Sequence, residues 1–170
     1  MNWKLQIRNL LMDNLSYILQ TTYTLTDLKH RVRLLGNYFE NKLFSDNQKF
    51  IGEQSASDAN WIKSLSEDFL NQFNKANLNQ ILQDLDDQLK KITPLIVYIP
   101  FTATQDQIQE IGSYARKLFN QNLVLEIKLD PSLIGGAALV LKGVYKDYSI
   151  KASVQAKREE ILVGFRKYVH

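Results

Sequence analysis

The run from Ser132 to Gly136 is the first segment of this 170-residue chain that suggests chemistry, because glycine-rich backbones can bind phosphate groups. A nucleotide-binding loop carries a Lys-Ser or Lys-Thr pair directly after its last glycine. Here Ala137 and Ala138 follow instead, and a dinucleotide fingerprint would need a third glycine and then a helix. We therefore interpret the run as a turn that precedes a strand, and we predict no cofactor.

Acidic residues and histidines are the other groups that could hold a metal or move a proton. Asp84, Asp86 and Asp87 form the densest carboxylate cluster, but they lack the glycine and the ligand spacing of a calcium loop. His30 lies among cations and His170 ends the sequence, so the two histidines make no metal site by themselves. The sequence contains no cysteine, which excludes disulfides and thiolate chemistry. We predict no metal site, no catalytic residue and no enzymatic activity.

The charge of the chain is unevenly distributed. Its formal net charge is +3, yet residues 1–92 hold eleven basic and eleven acidic side chains, so the excess lies in residues 93–170. The last helix, from about residue 150, accounts for all of it. A basic end can meet an acidic partner or a nucleic acid, but it is also typical of a solvated helix whose cations favour its C-terminal end. No aromatic-interleaved basic stripe supports nucleic-acid binding.

The composition changes at Thr93, because all three prolines, at positions 94, 100 and 131, lie beyond it. Before it, apolar residues recur at helical spacing in four stripes and predict a helical bundle over residues 1–92. We expect a loop over Ser45 to Asn60, with Ser57 or Asp58 capping the third helix. The stripes contain Trp3, Ile7, Leu10, Leu11, Ile18; Leu25, Leu28, Val32, Leu35, Phe39, Leu43; Ile62, Leu65, Phe69, Phe73; and Leu78, Ile81, Leu82, Leu85, Leu89.

Residues 93–170 have a different pattern. The apolar run between Pro94 and Pro100 predicts a strand, and Thr104 with Gln107 predicts a capping box at a helix start. A second strand is indicated by alternation over residues 123–129. The pattern predicts a small α+β domain with a β-hairpin, so the whole chain is expected to be mainly α. The predicted buried face of the helix comprises Ile108, Ile111, Ala115, Leu118 and Phe119.

The hairpin prediction depends on backbone conformation. Pro131 fixes its own φ and keeps Asp130 extended, while Gly135 and Gly136 permit positive φ. After the apolar strand that follows, Lys142-Gly143 separates it from a half-exposed strand over residues 144–150. The full turn segment is Asp130, Pro131, Ser132, Leu133, Ile134, Gly135 and Gly136.

The end of the second hairpin strand carries two polar residues on one face, Asp147 and Ser149. We predict that Asp147 accepts hydrogen bonds from the backbone near the glycine turn and that Ser149 caps a final helix. That helix is expected to begin near Ile150 and to bury Val154, Ile161 and Phe165.

An apolar strand that ends in Asp-Pro-Ser-Leu-Ile-Gly-Gly, followed by a hairpin that closes on Asp-x-Ser, resembles the C-terminal part of the F-type ATP synthase delta subunit. The mitochondrial member is called the oligomycin-sensitivity-conferring protein. The resemblance covers about Pro94 to Ile161. Family members usually begin with a six-helix bundle, whereas about four helices are indicated here before Thr93.

The resemblance implies a stator subunit with no catalytic residues. Residues 1–92 would bind the N-terminus of the alpha subunit on the catalytic head, and residues 93–170 would hold the C-terminus of subunit b in the peripheral stalk. Phe165 and Tyr168 would be apolar anchors for subunit b, and Arg166 part of the polar rim. The protein would be peripheral, on the cytoplasmic face of the energy-transducing membrane. In agreement, no run of eighteen apolar residues is present and residues 1–8 do not resemble a secretory signal.

Two other classes of function remain open from the sequence. One is a helical adaptor or nucleic-acid-binding module that uses the basic C-terminal helix. The other is an enzyme with unrecognised chemistry, which would need a substrate-sized pocket with converging polar groups.

Overall fold

A computed structural model describes residues 14–44 and 55–168 of the chain, with side chains up to residue 166. The chain divides into two compact units, Met1–Ile92 and Thr93–His170. The first contains helices, and the second contains a four-stranded sheet with helices. The predicted fold class, mainly α with a C-terminal α+β part and a β-hairpin, is confirmed.

Five helices are described in the N-terminal unit, and their apolar stripes meet in one core. The first two are α1, which includes residues 14–20, and α2, Leu25–Phe44. The others are α3, Ala56–Lys63; α4, Glu67–Leu70; and α5, Leu78–Lys91. The largest side chains that are almost fully buried belong to Ile18, Leu28, Leu35, Phe39, Leu78 and Leu85.

The third predicted helix is in fact two helices. The Ser64 hydroxyl donates to the Trp61 carbonyl at 2.7 Å and closes α3. The Ser66 hydroxyl then accepts from the Phe69 amide at 3.3 Å and opens α4. The two serine side chains satisfy backbone groups at the end of α3 and the start of α4. One continuous apolar stripe in the sequence therefore belongs to two separate helices.

The cap of α3 also differs from the prediction. Ser55 is the cap, since its hydroxyl accepts from the Asp58 amide at 3.2 Å, and residues 56–60 are helical rather than loop. The Asp58 carboxylate instead meets His30 of α2, with Nε2 to Oδ1 at 2.9 Å. Residues 45–54 of the predicted loop, and residues 3–11 of the first stripe, lie outside the described residues.

The sheet of the C-terminal unit has the strand order β2-β1-β3-β4. Strand β1, Leu95–Ile99, pairs in parallel with β2, Leu125–Leu129, and antiparallel with β3, Ala138–Leu141. Strand β4, Val144–Asp147, pairs antiparallel with β3 at the edge. Helix α6, Gln105–Leu118, joins β1 to β2, and α7, Ile150–Ala156, and α8, Arg158–Tyr168, follow the hairpin.

Helix α6 begins as predicted but buries a smaller face. The Thr104 hydroxyl accepts from the Gln107 amide at 3.3 Å and the Gln107 side chain accepts from the Thr104 amide at 2.9 Å, which confirms the capping box. Ala115 joins Leu95, Val97, Ile99 and Leu125 in the core, and Ile111 packs at its border.

The end of α6 contradicts the predicted buried face. Leu118 and Phe119 are 61% and 51% exposed. The buried residues of α6 are the small ones, Gly112 and Ala115. Leu118 is the last residue of α6 and Phe119 follows it, so both side chains lie at the exposed end of the helix.

Candidate interaction site

The predicted turn segment from Asp130 to Gly136 is a crossover rather than a hairpin turn. Strands β2 and β3 are separated by β1, so the segment must pass the end of β1. The Asp130 amide donates to the Ile99 carbonyl at 2.8 Å, and the Asp130 carboxylate accepts from the Ser132 amide at 3.0 Å. Pro131 then starts a short 3-10 turn that buries Leu133.

Within this segment, the residues with positive φ are Ile134 (67°) and Gly136 (75°). We predicted positive φ at Gly135 and Gly136, so the prediction is wrong for Gly135. No sequence signal marks Ile134, because β-branched residues disfavour this region. Gly135 instead lies close to a side chain, since a Cβ there would lie 2.6 Å from Ile150 Cδ1, the end of a side chain that can shift. At Gly136, a Cβ would overlap the carbonyl oxygen of Tyr148.

The hairpin turn itself lies at Lys142 and Gly143, with φ values of 49° and 80°. Leu141 and Val144 pair directly across it, as a two-residue turn requires. Beyond the strands, the Tyr148 amide donates to the Ala137 carbonyl at 2.9 Å. The Ile150 amide likewise donates to the Gly135 carbonyl at 2.9 Å, so the pairing extends to the glycine segment.

Ser149 caps α7 as predicted, because its hydroxyl accepts from the Ala152 amide at 3.1 Å. Asp147 does not bind the glycine segment, which corrects our prediction. Its carboxylate accepts from the Ser149 amide at 2.8 Å and from the Tyr145 hydroxyl at 3.1 Å, donors that are two residues away. The hydrogen bonds from Ser149 lower the pKa of Asp147 below its ordinary value. Asp147 thus holds the helix cap in place.

The predicted final helix is divided at Lys157 into α7 and α8, and its apolar residues are exposed. Val154, Ile161 and Phe165, which we expected to be buried, are 50%, 40% and 66% exposed. Helix α7 follows its Ser149 cap and packs on the 3-10 turn through its first residues, whereas no side chain described in α8 is buried. The apolar stripe has no covering element among the described residues.

We call this stripe the C-terminal apolar surface. Charged side chains flank it, and Arg166 is exposed beside Phe165. Tyr168 belongs to α8, but its side chain lies outside the described ones. Exposed apolar residues grouped on one surface and flanked by charged side chains are typical of protein–protein contacts. Its members are Ile150, Val154, Ile161, Leu162 and Phe165.

The N-terminal unit has a groove of about 600 Å³ between α2 and α5. Its carboxylates are Glu40 and Asp86, and Asp86 pairs with Lys90 at 2.7 Å. The part of the lining that the structure describes contains no serine, threonine, histidine or tyrosine, so we see no nucleophile with a base there.

The carboxylates of α5 are exposed to solvent and pair with side chains of the same helix. Asp87 also meets Lys90, at 3.1 Å, and Asp84 accepts from Gln80 at 3.0 Å. Within residues 14–44 and 55–168, no three His, Cys, Asp or Glu side chains are grouped as metal ligands. No helix in the same ranges has the length and apolar character that a membrane crossing requires.

Comparisons with known proteins relate this chain to one family. The model of the family "ATP synthase delta (OSCP) subunit" matches residues 76–161, from just before α5 into α8. Two similar curated proteins are each named "ATP synthase subunit delta". The protein from Desulfosudis oleivorans is 28% identical over 89 residues, 52% of this chain and 49% of that protein. The protein from Verminephrobacter eiseniae is 31% identical over 81 residues, 46% and 44% of the two chains.

These matches span less than half the length of the curated relatives. The match to the family model includes β1, α6, β2, the crossover and the hairpin, which are elements of the C-terminal unit. Since the family model covers half of the sequence, this chain belongs to the ATP synthase delta (OSCP) subunit family.

Proposed function

We propose that this protein is a non-catalytic stator subunit of an F-type ATP synthase. It links the catalytic alpha/beta head to subunit b of the peripheral stalk, on the cytoplasmic face of the membrane. A head that experiences rotor torque must be held still, so the subunit needs two durable interfaces and no bond chemistry. Family membership carries the proposal, and the exposed C-terminal apolar surface supports it.

The C-terminal unit would hold the end of subunit b. A stable interface needs an apolar centre that excludes water and a polar rim. Phe165 is the most exposed aliphatic or aromatic residue of the C-terminal apolar surface, at 66%, and the cations Arg166 and Lys157 of the same C-terminal segment are also exposed. The cations suit a partner helix that carries acidic residues around its own apolar stripe.

The N-terminal unit would bind the catalytic head. By resemblance to the family, it receives an amphipathic helix from the N-terminus of an alpha subunit as an added member of the bundle. Five helices described among residues 14–91 are enough to form a bundle with grooves between them.

Co-purification tests the proposal directly. The tagged full chain, expressed in its source cells, should bring down alpha, beta and b subunits, and the association should survive 0.5 M salt. Isolation without any synthase subunit would overturn the proposal. Salt-sensitive recovery of DNA or RNA instead would favour a nucleic-acid-binding module that uses the basic C-terminal helix.

A further inference from the structure

Helix α8 has eleven residues and no buried side chain among those that the structure describes in it. Its residues Ile161, Leu162 and Phe165 are 40%, 39% and 66% exposed. A helix of this length is only marginally stable in water by itself, because so few hydrogen bonds do not offset the cost of nucleation. A surface that covers the apolar residues would therefore stabilise α8.

The apolar residues of α8 define the side that such a surface would cover. Each residue advances a helix by about 100°, so Ile161, Leu162 and Phe165 lie within about 100° of one another around the axis. Val163 lies roughly opposite to them. One apolar side of this width suits contact with a single further helix.

The charges of α8 are separated along its length. Glu159 lies in the first turn, and Arg166 lies seven residues after it. Seven residues are about two helical turns, so the two side chains lie on the same rim of the apolar side, about 10 Å apart along the axis. Neither residue forms an ion pair with another described residue. The rim thus offers an anion at one end and a cation at the other.

A second α8 that runs antiparallel complements this pattern. When Ile161 of one copy packs on Phe165 of the other, the reciprocal contact forms as well, as a two-fold axis requires. In the same register, Glu159 of each copy lies beside Arg166 of the other, so two ion pairs form at once. The partial charges of the helix ends also attract in an antiparallel pair. A parallel pair would place like charges together.

We propose that two copies of this chain form a two-fold dimer in which their α8 helices pack antiparallel. The contact of two eleven-residue helices is smaller than a standard protein interface, so the dissociation constant should lie in the micromolar range. The proposed contact with subunit b uses the same residues, so self-association and binding of subunit b exclude each other. This exclusion rests on the proposed function, whereas the dimer does not.

Sedimentation equilibrium of the full chain tests the dimer. The molar mass should rise from that of one chain at low micromolar concentration toward that of two chains at high micromolar concentration. The mass of a single chain at all concentrations overturns the inference and leaves the proposed function standing.

A matched pair of variants tests the face. Ile161→Ser should weaken the dimer about tenfold, because each dimer buries this residue twice. Val163→Ser removes a β-branched residue of similar exposure from the opposite side of the same helix, and it should change the dissociation constant by less than about twofold. Equal effects of the two variants overturn the assigned face.

Charge exchange tests the register and the direction. Glu159→Arg and Arg166→Glu each turn two attractive pairs into two repulsive ones, so each variant alone should dimerise about tenfold more weakly than the parent. An equimolar mixture should recover the affinity of the parent, because each Arg then lies beside a Glu of the other variant. Both variants keep a positive net charge, since each differs by two charges from the parent's +3, so general attraction does not explain recovery. No recovery in the mixture overturns the antiparallel register.

The soluble part of subunit b from the same organism tests the exclusion. Added to the dimer, it should produce a complex that contains one copy of this chain. A complex that retains two copies overturns the exclusion. Failure of subunit b to bind at all refutes the proposed function, and the dimer is then judged by the sedimentation measurements alone.

Discussion

Gly136 lies so close to Tyr148 that a Cβ atom on Gly136 would overlap the Tyr148 carbonyl oxygen. This contact is between two backbone segments, one entering β3 and one leaving β4, so neither can move without breaking the pairing around it. The Tyr148 amide also donates to the Ala137 carbonyl at 2.9 Å. The crossover segment, Asp130 to Gly136, thus packs against the end of the β3–β4 hairpin and positions the start of α7.

The first prediction concerns that contact. Gly136→Ala should lower the free energy of unfolding of the C-terminal unit by about 3 kcal/mol, from the positive φ and the backbone overlap together. Gly143→Ala is the matched control, because its φ is 80° but no atom lies within 4 Å of the added Cβ. It should cost only about 1 kcal/mol. Urea denaturation followed by circular dichroism measures both, and equal midpoints would contradict the assigned contact.

Gly135 gives a further comparison within the same segment. Its φ is not positive, and the atom that a Cβ would meet is the end of the Ile150 side chain, which is 51% exposed and can move. Gly135→Ala should therefore destabilise the unit less than Gly136→Ala does. A larger loss for Gly135→Ala in the same denaturation experiment would show that the Ile150 side chain is fixed.

The second prediction concerns subunit b. Phe165→Ala should weaken binding by about 2 kcal/mol, because a buried aromatic anchor governs dissociation. Arg166→Ala should cost less and act mainly on the association rate and its salt dependence. Surface plasmon resonance with the soluble part of subunit b separates the two rates. Both residues are exposed, so neither change should alter the melting temperature.

If Arg166→Ala proves more damaging than Phe165→Ala, or if neither matters, subunit b binds elsewhere. A loss of melting temperature in Phe165→Ala would instead indicate that α8 packs on the rest of the chain.

The third prediction concerns Arg31, which joins three parts of the N-terminal unit. Its guanidinium donates to the hydroxyls of Thr21 and Thr22 and lies 5.0 Å from the ring centre of Trp61. Burial lowers the pKa of Arg31 below its ordinary value. Arg31→Lys should destabilise the unit by about 1–2 kcal/mol, because an ammonium group cannot reproduce the planar stacking and the forked donors.

Arg33→Lys is the control for that change, since Arg33 is exposed on the same helix. It should leave the denaturation midpoint within about 0.5 kcal/mol of the parent. Equal midpoints for the two variants would mean that the Arg31 contacts contribute nothing measurable.

The fourth prediction concerns pH. The hydrogen bond from His30 is the main cause that lowers the pKa of Asp58 below its ordinary value of 3.8. A carboxyl whose pKa is lower in the folded state stabilises the fold above its unfolded pKa, and that contribution disappears as the pH falls through the folded value. Asp58→Asn should therefore be less stable than the parent at pH 6, by less than about 1 kcal/mol, and equally stable near pH 2.

Glu110→Gln provides the comparison, because Glu110 is exposed on α6 and has no described partner. Its stability should follow that of the parent from pH 6 to pH 2. Thermal melts at each pH measure the difference, and a constant gap between Asp58→Asn and the parent would refute the role of the pair.

The local chemistry of the chain could be predicted from its sequence. The capping box of Thr104 and Gln107 and the Ser149 cap form between residues three positions apart, so the residue types suffice to identify them. The order of strands and helices after Thr93 follows from hydrophobic periodicity and proline placement, which are also local. The family segment was identifiable for the same reason, because its residues are contiguous.

Tertiary structure decided which elements meet, and this cannot be predicted from local patterns. Strand β1 lies between β2 and β3, so the glycine segment became a crossover and the positive φ moved to Ile134. Asp58 was predicted as a possible cap, but it meets His30, 28 residues earlier in the chain. Apolar periodicity predicted a buried last helix, yet Phe165 is exposed. Periodicity determines which face of a helix avoids water, and only the packed fold determines whether this chain or another one covers that face.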